Sequence, residues 1–191
     1  MESLKFFEVK GKKIPYYNFV YDKELHVLLR RRNYFKARHT KLDDGRSLVE
    51  FLMDETFRQF NNEENFYVFE RAFMLVVHYF KDHFIRDIDN YVYKPIVDCI
   101  KKTRIIKDDD YSNLAFSYVG QKDIKDCIEV YVIPFLYFGA FMRQAFYDFT
   151  DPYISETQIR TINDVEEEKR IQKQTLEERK KREEEIFNIP Y

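Results

Sequence analysis

Residues 66–80 read FYVFERAFMLVVHYF, and the apolar run that ends this stretch decides the fold. It is rich in β-branched and aromatic residues and lacks the polar alternation of a strand with one wet face. It therefore predicts a strand covered on both sides, in the middle of a sheet. Upstream, residues 3–9 and 14–20 read as short strands rich in Phe, Val and Tyr, joined across the turn-prone Lys10-Gly11-Lys12 and followed by a long basic arm. Between that arm and the central strand, Ser47-Leu48-Val49-Glu50 has the form of a capping box. Leu48, Phe51, Leu52 and Phe60 then fall near helical spacing, which predicts a helix over 48–60 ended by Asn61 and Asn62.

Downstream comes RDIDNYVYKPIVDCIKKT, residues 86–103, in which Ile96, Cys99 and Ile100 share a face and Pro95 suits the first turn of a helix reaching Lys102. Leu114–Val119 and Ile128–Ile133 alternate, with Gly120 and a polar connection between them, and read as a hairpin. Phe135–Phe149 is aromatic and helix-compatible, suited to completing the core or covering a sheet edge. The expected fold is α+β: a small mixed β-sheet in the order β-β-α-β-α-β-β over residues 1–135, with a helical extension over 136–191.

Within that extension, the tail from Ser155 opens with a second capping-box pattern, Ser155 to Gln158. It carries Glu-to-basic pairs four apart, Glu156 with Arg160, Glu166 with Arg170, Glu177 with Lys181 and Glu178 with Arg182. A long polar helix from Ser155 to about Ile186 follows. Its apolar residues do not hold a 3.5 spacing, so it reads as a solvated helix, with an oligomer contact as the alternative.

Composition narrows the function classes. With 45% hydrophobic and 18% aromatic residues the chain can bury an ordinary core, which excludes global disorder and a disulfide-stapled mini-protein. The longest stretch without a charge, Val130–Met142, has 13 residues and contains Pro134, short of the roughly 20 that span a bilayer. The N-terminus has no apolar export signal, so a cytoplasmic protein with no membrane partner is expected. Cys99 and Cys127 lie far apart without a CxxC partner and read as two small buried apolar residues. No Gly-rich phosphate loop, reactive Cys or Ser/His pair is visible, and no nucleotide cofactor is expected.

The net charge of -2 conceals an asymmetry. Residues 1–41 carry 11 Lys/Arg against 4 Asp/Glu, residues 42–150 carry 13 against 19, and residues 151–191 carry 8 against 11. A basic segment beside an acidic body can hold a polyanion while the body supplies carboxylates.

Asp87-Ile88-Asp89 follows the central strand. If the chain stays extended there, both carboxylates face one side, where their repulsion favours a hard cation such as Mg²⁺ or Mn²⁺. A solvated turn with Asp or Asn capping the next helix accounts for the same letters. Asn90 continues the turn, Lys94 opens the helix, Asp98 lies one turn on, and Asp109 stands eleven residues later within Asp108-Asp109-Asp110, before a strand.

The pattern RDIDN, then Lys94, then Asp98, then a DD pair before a strand resembles the RusA family of Holliday junction resolvases. These are small, dimeric, Mg²⁺-dependent endonucleases of bacteria and prophages. The resemblance covers residues 66–133, and more loosely the N-terminal hairpin and the helix at 48–60. It implies metal-binding aspartates at Asp87, Asp89 and Asp109 with Asp108 beside them, a catalytic lysine at Lys94, and a homodimer acting on branched DNA in the bacterial nucleoid. Three residues, Tyr91 to Tyr93, stand between Asn90 and Lys94 where the family commonly has two. An ion pair of Lys94 with Asp98 is compatible with the catalytic role. His83, near the acidic cluster, is a base, a ligand or a loop residue.

DNA contacts would come from Arg30, Arg31, Arg32, Lys36, Arg38 and Lys41, with Tyr34 and Phe35 among them, and from Arg86 next to Asp87. A solvated basic loop is the alternative. Two further functions fit the same sequence: a non-catalytic RusA-like module that binds branched DNA, and a scaffold protein acting through its charged C-terminal helix.

Overall fold

The structure, a computed structural model, describes residues 3–31, 41–60, 66–81, 87–145 and 161–187, the side chains of 179–187 excepted. Strands β1 (Leu4–Val9) and β2 (Lys12–Tyr21) form a hairpin closed by Val9 opposite Lys12. Its turn residues Lys10 and Gly11 both have positive φ, 50° and 77°, the conformation whose twist matches that of the flanking strands. A short helix α1 (His26–Leu29) and helix α2 (Leu48–Gln59) follow. The expected capping box on α2 is present: Ser47 Oγ accepts from Glu50 N at 3.3 Å and Glu50 Oε2 accepts from Ser47 N at 2.6 Å.

Strand β3 (Ala72–Phe80), helix α3 (Lys94–Lys102), strand β4 (Leu114–Lys122), strand β5 (Cys127–Pro134) and helix α4 (Phe138–Ala145) complete the body. The expected mixed α+β architecture is present, with five strands in one sheet ordered β1-β2-β5-β3-β4. Neighbours are antiparallel except β3 and β4, which are parallel.

Two expectations fail here. β4 and β5 are not a hairpin, because β3 lies between them. Alternation marks each as a half-buried strand but names no partner. The crossover through α3 lays β4 on the outer side of β3, and the return to β5 passes over the end of β3, where Asp123 N–H donates to Phe80 O at 3.0 Å. The middle strand is therefore β5, with β3 second from the edge. The continuous apolar run of β3 reflects cover on both faces, which any inner strand can have.

Along β3, Ala72, Met74, Val76, His78 and Phe80 share one face and Phe73, Leu75, Val77 and Tyr79 the other. The first face belongs to the main core with Tyr17, Phe19 and Tyr21 of β2 and Ile128, Val130 and Val132 of β5. Leu48, Phe51 and Leu52 of α2 and Ile96 and Ile100 of α3 close that core. The opposite face is covered in part by α4. Phe141 is 1% exposed, its ring centroid 5.2 Å from Phe7, 4.9 Å from Tyr16 and 5.7 Å from Tyr131.

The chain divides into two compact units, Met1–Ala145 and Phe146–Tyr191, so α4 belongs with the sheet rather than with the extension. In the second unit, helix α5 spans Ile162–Phe187. It is capped by Thr161 and Asp164: Asp164 Oδ2 accepts from Thr161 N and Oγ1 at 2.8 Å each, and Asp164 N donates to Thr161 Oγ1 at 3.3 Å. The expected cap at Ser155–Gln158 and the Glu156–Arg160 pair lie outside the described residues, as do the side chains of Lys181 and Arg182. Arg170 pairs with Glu167 at 3.6 Å, three residues back. Ile162, Ile171 and Leu176 are exposed. Among the described residues no helix is long and apolar enough to cross a membrane.

Candidate functional site on the face of α3

Between β3 and α3 the described residues include a 3-10 turn, Ile88–Asn90, with Asp87 at its entry. Asn90 N–H donates to Asp87 O at 3.1 Å and Tyr91 N–H to Ile88 O at 3.3 Å. The condition for paired carboxylates was extended backbone, and it is not met. Asp87 is extended but Ile88 and Asp89 lie in the 3-10 turn, so the same-side placement of residues two apart in a strand does not apply. Both are exposed, while Ile88 between them turns inward against β4. Gly120 makes that approach possible, since a Cβ there would lie 3.1 Å from Ile88 Cδ1. Asn90 Nδ2 reaches Asp87 Oδ2 at 3.4 Å.

The segment that follows is anchored from two sides. Tyr91 bridges to Arg30, and Val92 N–H donates to Leu29 O at 2.8 Å, which ties it to the end of α1. Tyr93, before the first residue of α3, bonds through its hydroxyl to His78 Nδ1 at 3.0 Å. Pro95 sits in the first turn of α3, where no backbone N–H is required, as its position in the sequence implied.

Lys94, Asp98 and Lys101 stand at i, i+4 and i+7 on one face of α3. Lys94 Nζ lies 2.8 Å from Asp98 Oδ1 and 3.6 Å from Asp109 Oδ2. Lys101 Nζ holds Asp109 Oδ1 at 2.7 Å and also bonds Asp108. Asp109 N–H donates to Asp108 Oδ1 at 2.8 Å. The Lys101 ammonium, then the hydrogen bond with Asp108, pushes the Asp109 carboxyl down to about 2. Asp98, ahead of Asp109, raises the Lys94 ammonium above its ordinary value. Asp110 faces away from this cluster of charges in its bonding. It accepts from Ser112 N and Oγ and from Asn113 N and Nδ2, and so builds the turn into β4.

Lys94, Asp98, Asp108 and Asp109 thus meet on α3, and among the described residues no hydrogen bond or ion pair joins Asp87 or Asp89 to them. Asp87 follows the C-terminal end of β3, and Asp108 and Asp109 precede the N-terminal end of the parallel strand β4. The carboxylates are the oxygen donors that Mg²⁺ or Mn²⁺ takes, but Asp87, Asp89 and Asp109 do not close around one ion as arranged. Among the described residues, the one group of three potential ligands within 4.8 Å of one another is Glu24, His26 and Asp126.

An open groove of about 820 Å³ runs between α2 and α3, with Val49 and Met53 on one side and Lys94, Asp98, Lys101, Lys102 and Arg104 on the other. Of its four cations, Lys94 and Lys101 pair with Asp98, Asp108 and Asp109, and Lys102 and Arg104 are the two whose charge suits an anionic chain. Of the arm, Arg30 is half-buried and Arg31 exposed, and Lys41 Nζ lies 3.5 Å from Glu50. Arg32, Tyr34, Phe35, Lys36, Arg38, His83 and Arg86 lie outside the described residues. Sequence reading passed over Lys101, though its spacing from Lys94 is helical and would have shown it. Glu24, His26 and Asp126 carry no such signal, since only strand pairing joins them. Comparison with protein-family models and with curated proteins finds no match for this chain.

Proposed function

We propose that this chain is a metal-dependent endodeoxyribonuclease of the RusA kind, hydrolysing phosphodiesters in Holliday junctions or related branched DNA, as a homodimer in the cytoplasm. The observation that carries this reading is the meeting of Lys94 with both Asp98 and Asp109 on one face of α3. In sequence these residues stand at the spacing that resembles the resolvase signature. In space the lysine lies beside two of the carboxylates that accompany it there. The order of the longer elements, β-β-α-β-α-β-β with α1 set aside, supports the same reading.

Hydrolysis places negative charge on the phosphate and on the departing oxygen, and the Lys94 ammonium on the rim of the basic groove can offset it. Lys102 and Arg104 would neutralise neighbouring phosphates, with a dependence on salt. The bridge of Arg30 to Tyr91 brings the start of the basic arm to the segment that bears Asp87 and Asp89. A four-way junction has approximate two-fold symmetry, and paired cuts call for a C2 dimer.

The test is cleavage of a synthetic four-way junction and of linear duplex by wild type and by Asp89→Asn, with Mg²⁺, with Mn²⁺ and with EDTA. Junction-selective, metal-dependent nicking by wild type alone is expected. Equal cutting by both proteins, or none by either, overturns the catalytic reading.

The separation of Asp87 and Asp89 from Asp109, which Lys101 already neutralises, favours a second reading: a RusA-like module that binds branched DNA without cutting it. That protein would retard a junction equally with and without Mg²⁺ and leave it uncut.

A further inference from the structure

We propose that Glu24, His26 and Asp126 form a binding site for a divalent transition-metal ion of the Zn²⁺ class, separate from the acidic residues around α3. Strand pairing brings the three together. Glu24 and His26 follow the end of β2, Asp126 precedes the first residue of β5, and Tyr21 of β2 pairs with Ile128 of β5. One potential ligand atom from each residue lies within 4.8 Å of those from the other two.

His26 and Asp126 are each only 8% exposed; His26 Nδ1 is buried without a hydrogen-bond partner among the described residues, and Asp126 Oδ2 has the Lys81 ammonium at 3.4 Å without hydrogen-bond geometry. Leaving such groups unmatched is costly, and a bound ion would satisfy them together. His26 Nδ1 stands 3.7 Å from Asp126 Oδ1, too long for a hydrogen bond and close to the roughly 3.3–3.6 Å between two ligands of a tetrahedral ion with bonds of about 2.0–2.2 Å. Glu24 Oε1 lies nearer the other ring nitrogen, 3.6 Å from Nε2, so its exposed side chain would turn to reach an ion held at Nδ1.

Lys81 supplies the positive charge meanwhile. Its Nζ lies 3.0 Å from Glu24 Oε2 and 3.4 Å from Asp126 Oδ2. Its side chain is 52% exposed, so it can turn out to solvent when an ion enters. Glu24, then Asp126, holds the Lys81 ammonium above its ordinary value.

One imidazole nitrogen with two carboxylates is a donor set for Zn²⁺ or Mn²⁺ more than for Mg²⁺, which takes oxygen and keeps its waters. The ion would clip the ends of β2 and β5 beside the end of β3, three adjacent strands at one end of the sheet. The site does not depend on the nuclease reading.

The test is titration of the EDTA-stripped full chain with Zn²⁺, with Co²⁺ as a visible-absorbance reporter and Mg²⁺ as the comparison. Saturable 1:1 Zn²⁺ binding is expected, with a rise in Tm and a Co²⁺ spectrum of low coordination number. His26→Gln and Asp126→Asn should each weaken it by about tenfold or more. Because both are buried and could affect folding, Glu24→Gln, at a half-exposed position, is the third variant. It should weaken binding with the circular dichroism spectrum unchanged. Lys81→Gln, which removes the competing ammonium, should tighten it. Asp87→Asn/Asp89→Asn should leave it as in wild type. Absence of saturable Zn²⁺ binding, or binding unmoved in folded Glu24→Gln, overturns the proposal.

Discussion

His78 on β3 and Tyr93, the residue before the first of α3, share a buried hydrogen bond of 3.0 Å that ties the start of the helix to the sheet. Burial, then the neighbouring Tyr91 and Tyr118, holds the Tyr93 hydroxyl well above its ordinary value, so it stays protonated. Tyr93→Phe removes the bond and keeps the ring. A loss of about 1–2 kcal/mol in unfolding free energy is expected, read as a lower urea midpoint at unchanged slope.

Acid should weaken the fold partly through Asp109. Its carboxyl lies at about 2 in the folded chain, chiefly because of Lys101, against about 3.9 in an unfolded one. Its contribution is therefore complete above pH ~4 and disappears as pH falls toward ~2. Lys101→Met removes the main cause. In urea midpoints measured across that window, the variant should show a shallower fall than wild type. An equal fall in both would mean that other groups carry the acid dependence.

Cys99 and Cys127 are each 1% exposed, and burial pushes both thiols up to about 11. Neither should react with a thiol reagent at pH 8 in the folded state, and both should do so in denaturant. Unfolded thiols lose their protons near pH ~8.5 while the folded ones keep theirs, so stability should fall as pH rises beyond that point. Replacing both with Ala should flatten that alkaline limb.

Phe141 is the buried residue of α4, packed against Phe7, Tyr16 and Tyr131. Phe141→Ala should cost about 3–5 kcal/mol, by the size of the side chain removed and the cavity left. Thermal unfolding by circular dichroism measures it.

What could be read from the sequence were the features that local chemistry dictates. Ser47 and Glu50 announced α2 because a cap is satisfied within four residues. Ile96, Cys99 and Ile100 announced α3 because one helix face must be buried, and Lys10-Gly11 announced the first turn. Which strand lies beside which depends on contacts far apart in sequence, and the β4–β5 pairing went astray for that reason. Asp87 and Asp89 were legible as residues but not as geometry, since Asp-Ile-Asp reads alike in a strand and in a 3-10 turn. The meeting of Lys101 with Asp108 and Asp109 depends on how the chain turns after α3, through Arg104 with its positive φ of 65°.

The sheet order also sets a schedule for folding. β5, the last strand made, joins the β1–β2 hairpin to the β3–α3–β4 unit within the sheet. The sheet cannot be joined across the two halves until β5 is available, so a nascent chain emerging N-terminus first carries two unpaired strand edges that later meet at β5. Truncations that remove β5 should yield not a smaller version of this fold but a chain with two open strand edges, prone to pair with other chains.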